Sequence, residues 1–132
     1  MNKRDLEERL INFAVLIIEI VESMPSTRSA NHLGGQLLRS GTSPALNYGE
    51  AQSAGSRNDF IHKIKVALKE LRETSVGLKV IYRTKLFNDE GKMQSALKES
   101  DELISIFVKS AKTAQLNGSI KTSEKLKIVS NK

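Results

Sequence analysis

The sequence predicts an all-α chain, an antiparallel up-and-down four-helix bundle whose second helix is kinked near Pro44. Three observations carry that prediction. Apolar residues return at intervals of three and four along most of the chain, no stretch shows the alternation of a strand, and turn residues cut the pattern into four pieces of bundle length. With 132 residues, one domain is expected and a core needs no staple. There is no Cys, so disulfides and thiolate metal sites are excluded and a cytoplasmic setting is the expectation.

The first helix is read from about Asp5 to Met24. Leu6, Leu10, Phe13, Ile17, Ile20 and Met24 follow a 4,3,4,3,4 spacing, which makes one apolar seam. Ile11, Val15 and Ile18 fall on the opposite side of the same helix. A helix apolar on two faces is buried on two faces, and a chain this short has little left to cover the second. These three residues are therefore the expected interface of a homo-oligomer; the alternative is that a fourth helix wraps over them.

Pro25 ends this helix, and Ser26 or Thr27 can cap the next. From Arg28 to about Ala54 the pattern is helical, with bulk from Leu33, Leu37, Leu38 and Leu46. Gly34, Gly35, Gly41 and Gly49 interrupt it at a cost of about 1 kcal/mol each, which points to close backbone approach by neighbours. Pro44 clashes with the carbonyl of Ser40, so a kink there, or a division into two shorter helices, is expected.

Ser56 to Asp59 has the Ser-x-x-Asp form that opens a helix. The third helix should run from Arg57 to Arg83 or Leu86, with Phe60, Ile64, Ala67, Leu71, Leu78 and Tyr82 towards the core. After a turn at Asn88–Gly91 with Asp89 as cap, the fourth repeats Met93, Leu97, Ile104, Phe107, Ala111 and Ala114. Asn117-Gly118 is expected to stop it. The bundle is thus placed at 1–116, and 117–132, with four Lys and one Glu, is expected to be a mobile tail.

The net charge of +6 is unevenly placed: residues 56–88 hold eight basic and three acidic side chains. Lys65, Lys69, Arg72, Lys79 and Arg83 share one stripe, roughly 120° round from the core seam. Such a row can track the phosphates of RNA or DNA, each neutralised phosphate adding affinity through counterion release. The alternative is a solvated face, or one that pairs with acidic residues of a neighbouring subunit in a protein-interaction scaffold. Asn47 and Glu50, past Pro44, could meet Glu70, Glu73 or Thr74 across the bundle in a polar network that sets helix register.

Catalytic patterns are not found. Asp59-x-x-His62 is a single distant cousin of the paired Glu-x-x-His of carboxylate di-metal bundles, His32 has no nucleophile beside it, and Gly35–Ser43 lacks the Lys of a phosphate loop. A non-enzymatic role without cofactor or metal is expected. The longest apolar run, Phe13–Ile18, is far short of the roughly 20 residues that span a bilayer, and the mixed charges of Met1–Arg9 do not make a secretory leader, so no membrane partner is expected.

The run Leu38-Arg39-Ser40-Gly41-Thr42-Ser43-Pro44-Ala45-Leu46-Asn47-Tyr48-Gly49-Glu50-Ala51, then Ser56–Ile61, then Leu68–Thr74, resembles the bacterial proteins encoded in intervening sequences of 23S ribosomal RNA genes. The resemblance spans about residues 5–115. It implies a four-helix bundle assembled into a ring, commonly a homopentamer, with no established catalytic set. Relatives include accessory proteins of diversity-generating retroelements, which implies nucleic acid and a reverse-transcriptase-like protein as partners. Many members carry a bulky aromatic near position 77, where this chain has Gly77.

Overall fold

The computed structural model describes residues 1–130, with side chains described for residues 1–117. Four helices and no strand are present among the described residues: α1 (Lys3–Glu22), α2 (Arg28–Gln52), α3 (Arg57–Arg83) and α4 (Glu90–Ser130). Each begins where a side chain can take up the free amide groups of a first turn. Asn2 and Asp5 form a reciprocal capping box, and Thr27 accepts from the Ala30 amide. Ser56 accepts from the Asp59 amide, and Asp89 from the Lys92 amide at 2.9 Å.

The α1 seam is buried as its spacing requires, from Leu6 through Leu10, Phe13 and Ile17 to Ile20. Helix α1 packs on α2 and α4, and α3 packs on the same two helices, so all four contribute to one core. Tyr48 of α2 meets Phe107 of α4 edge to face, with ring centroids 5.9 Å apart.

Helix α2 departs most from its sequence pattern. It is a single helix with Pro44 inside it, and its inward side is made of Ala30, Gly34, Leu37, Ser40, Gly41, Pro44, Tyr48 and Ala51. Leu46, expected to supply bulk, is instead 67% exposed. The helix axis comes so close to α1 at Gly41 that no larger residue fits, which turns the small residues inward and the leucine out. Close approach is confined to part of the glycine set: a Cβ on Gly35 or Gly49 would meet nothing within 4 Å.

Two further assignments shift by one residue. On α3 it is Ile81 that is buried, whereas Tyr82 is exposed and its hydroxyl donates to Glu90 Oε1 at 2.7 Å. On α4 the buried row is Met93, Ala96, Ser100, Leu103, Phe107, Ala111 and Ala114, so four of the six expected positions are buried and Leu97 and Ile104 are only partly covered. The buried row of α3, from Ile64 through Ala67, Leu71, Thr74 and Leu78 to Ile81, keeps three- and four-residue steps throughout, so Tyr82 lies one residue off it, as Leu97 and Ile104 lie one residue off the row held by Ala96 and Leu103. Nor does Asn117-Gly118 end α4, which continues to Ser130, since a single glycine lowers helix stability by only about 1 kcal/mol. The mobility expected for 117–132 concerns residues whose side chains lie outside the described ones, Asn117 excepted.

Candidate nucleic-acid interface

The outward ridge of α3 is built by the same periodicity that buries its inner side. With Ile64, Ala67, Leu71, Thr74, Leu78 and Ile81 against the core, Lys65, Lys69, Arg72, Lys79 and Arg83 are all exposed. The spacing 65, 69, 72, 76, 79, 83 is an unbroken 4,3,4,3,4 ridge, and its one uncharged position is Val76, 60% exposed. From Lys65 to Arg83 the ridge runs about 27 Å at 1.5 Å per residue.

The acidic residues of α3 do not compensate this row. Glu70 and Glu73 both turn to Arg39 of α2, with Arg39 Nη1 to Glu70 Oε2 at 2.7 Å, and Lys63 on the same flank pairs with Glu50. Hydrogen bonding from Glu70, followed by the charges of Glu70 and Glu73, pushes the Arg39 guanidinium pKa up, so it stays a cation at any working pH. Among the described residues none of the five ridge cations joins an ion pair. Five positive charges therefore stand on one line with no local neutralisation.

The expected polar network is not assembled as one unit. Asn47 donates to the carbonyl and hydroxyl oxygens of Ser43 on its own helix, and Glu50 reaches Lys63. Glu70 and Glu73 are occupied by Arg39, so neither Asn47 nor Glu50 meets them. The buried polar contact between α2 and α3 is Thr74 Oγ1 to Ser40 Oγ at 2.9 Å, both residues almost wholly inaccessible. Ser40 and Thr74 each stand on the inward register of their helices, the signal that could have selected them. His62 and His32 are exposed, on α3 and α2.

On the other side of the molecule, Ile11, Val15 and Ile18 are 41%, 48% and 41% exposed, so no helix of this chain covers them. Ile11 continues into an open groove between α1 and α2 lined by Ala45, Leu46 and Gly49 and rimmed by Glu7 and Glu50. Leu46 and Val76 are the residues that sequence reasoning missed on these two faces.

The family described as 23S rRNA-intervening sequence protein matches residues 3–109. The chain belongs to that family. The match begins at the first residue of α1 and stops within α4, so it holds both exposed faces and the whole of the basic ridge. No curated protein matches the chain. A crystal structure of a protein of unknown function from the S23 ribosomal protein family of Bacteroides thetaiotaomicron is similar to it, with 31% identity and a TM-score of 0.76 over 85% of this chain and 99% of that one. This intervening-sequence protein family member thus shares its fold with a solved relative over nearly all of the relative's length.

Proposed function

We propose that the chain is a non-enzymatic, ring-forming helical bundle that holds the backbone of RNA or DNA along the outer ridge of α3. The observation that carries this reading is the row of five exposed cations, none of them in an ion pair among the described residues. Polyanion binding through such a row is electrostatic and independent of sequence, so affinity must fall steeply with salt. Titrating structured RNA across a salt series tests it. Binding should be lost on replacing Lys69, Arg72 and Lys79 with Glu, and no binding at low salt refutes the reading.

The helices of this reading run up and down. Arg9 meets Glu99 and Glu102 while Glu19 meets Lys92, and Arg39 meets Glu70 while Glu50 meets Lys63, pairings that suit antiparallel neighbours. A bend of α2 around Ser40–Pro44 belongs to the same reading, because Pro44 lies inside the helix and offers the Ser40 carbonyl no donor. The ring of this reading, a pentamer as the family resemblance implies, is built on the exposed Ile11, Val15 and Ile18. Among the described residues no helix is long and apolar enough to cross a membrane.

One observation favours a second reading, a protein scaffold without a nucleic-acid role. Val76 and Val80 are exposed among the α3 cations, and Glu7, Glu8 and Glu22 flank the apolar face of α1. The α1 face of one subunit could then dock on the α3 face of the next, a head-to-tail contact of the kind that closes rings. Under it the same charge reversals disperse the assembly and RNA is ignored. A reverse-transcriptase-like protein with an acidic surface would use the same ridge.

A further inference from the structure

The five cations of the α3 ridge are unevenly distributed. Lys65, Lys69 and Arg72 form one cluster, Lys79 and Arg83 a second, and the ridge position between them is the exposed Val76, with Val80 beside it. At 1.5 Å per residue the gap from Arg72 to Lys79 is about 10 Å, and the cluster centres lie about 18 Å apart.

A single strand presents its phosphates as one continuous line. A ridge that follows such a line gains from a cation at every position, and a valine in its middle forfeits one contact. Two strands facing each other across a groove present two lines of phosphate with uncharged space between them. A wide groove of about 12 Å separates those lines by a distance that the two clusters can bridge.

The rest of the face agrees. Val76 and Val80 are short and carry no donor or acceptor, so they can overlie a groove without reading base edges, leaving recognition to backbone and shape. None of the six ridge positions is aromatic, so the ridge itself offers no stacking platform for unpaired bases: Phe13, Tyr48, Phe87 and Phe107 are buried, Phe60 is partly buried, and the exposed ring of Tyr82 lies off the ridge with its hydroxyl bonded to Glu90.

We infer that α3 grips a double helix across a wide groove, with one cation cluster on each strand. This rests on the polyanion reading above and narrows its ligand to the duplex form. The shared chemistry is a pair of phosphate lines, which the shallow minor groove of duplex RNA and the major groove of duplex DNA both supply.

Fluorescence anisotropy with an RNA duplex of about 20 base pairs, the DNA duplex of the same sequence, and each single strand separates the possibilities. At least one duplex should bind about tenfold tighter than its strands, with a log–log salt slope near −4.5 for five neutralised phosphates. Lys69→Glu with Arg72→Glu, and separately Lys79→Glu with Arg83→Glu, should each abolish the duplex preference. Val76→Lys should strengthen single-strand binding several-fold and leave duplex binding unchanged. Equal affinity for duplex and single strand overturns the two-strand grip while the polyanion reading stands. No binding to any of the four probes at low salt overturns both.

Discussion

Gly41 of α2 lies so close to Ile17 of α1 that a Cβ placed on it would sit 2.7 Å from Ile17 Cγ2. Ile17 is fully buried, so it has nowhere to retreat. Replacing a helical glycine by alanine ordinarily stabilises by about 1 kcal/mol, but overpacking a filled core costs about 1–3 kcal/mol, and here the second effect wins. Gly41→Ala should lower stability by about 1–2 kcal/mol in urea unfolding, and should cost less in an Ile17→Ala background, where both of the Cγ atoms it would meet are gone. Gly35→Ala, with open space around it, should raise stability by about 0.5–1 kcal/mol. Equal signs at the two glycines would refute the packing account.

Thr74 Oγ1 lies 2.9 Å from Ser40 Oγ and 2.8 Å from the Glu70 carbonyl, in a part of the core sealed from water. Thr74→Val leaves the Ser40 hydroxyl without its cross-helix partner and should cost about 1–2 kcal/mol. Removing both hydroxyls, as Ser40→Ala with Thr74→Val, should cost less than the sum of the two single changes, because no orphaned group remains. Strict additivity in a double-mutant cycle would show that the contact carries no energy of its own.

The α3 helix ends on a residue in the left-handed region, Lys85 with φ 58°. Its amide donates to the Tyr82 carbonyl and that of Leu86 to the Ile81 carbonyl, both at 3.2 Å, an arrangement usually closed by glycine. Lys85→Gly should therefore raise the thermal midpoint, by about 1 kcal/mol of stability, with nucleic-acid affinity unchanged because Lys85 is off the ridge.

Both tyrosines hold their protons beyond the ordinary range. Burial raises the pKa of Tyr48, with a smaller contribution from Glu7, and the hydrogen bond to Glu90 raises that of Tyr82. The folded chain binds each hydroxyl proton more tightly than the unfolded chain does. Stability from these groups is thus complete below the ordinary value of about 10 and is lost as pH rises through the higher folded values. Tyrosinate absorbance should develop late in an alkaline titration, and Glu90→Ala should advance the Tyr82 step alone. An unchanged titration in that variant would dismiss the hydrogen bond as its cause.

Ile11, Val15 and Ile18 are exposed in the single chain, so charging them removes no core contact. Ile11→Asp with Ile18→Asp should leave the chain folded, with the helical circular-dichroism signal of the parent. In sedimentation the parent should be a multiple of the chain mass and the variant should fall to one copy. A parent that sediments as one copy at micromolar concentration rejects assembly through this face.

Much of the fold is legible residue by residue. Caps at Thr27, Ser56 and Asp89 could be read because a cap is a local bargain between one side chain and an amide three residues on. The α1 seam could be read because its inner positions are all large and apolar. The α3 ridge was legible for a related reason: charges at helical spacing share a face wherever the helix is placed.

Leu46, Ile81 and the Ser40–Thr74 pair show where such reading stops. Whether a leucine or a glycine turns inward on α2 depends on how near α1 stands, and that distance is set by Ile17 across the interface, not by anything within α2. Which of two adjacent positions, Ile81 or Tyr82 on α3 and Ala96 or Leu97 on α4, turns inward depends on how the neighbouring helices pack against them. By itself, then, the sequence determined four helices, the starts of α2, α3 and α4, the inner seam of α1 from Leu6 to Ile20 and the existence of a basic row, all patterns that repeat within a few residues of chain, whereas α1 starts at Lys3 on an Asn2 cap, two residues before the expected Asp5. Only the tertiary structure decided that α2 buries its small side, that Glu70 and Glu73 are drawn off to Arg39, and that the α3 cations are consequently left uncompensated around an exposed valine. Those outcomes depend on distances between helices, and such distances arise from packing.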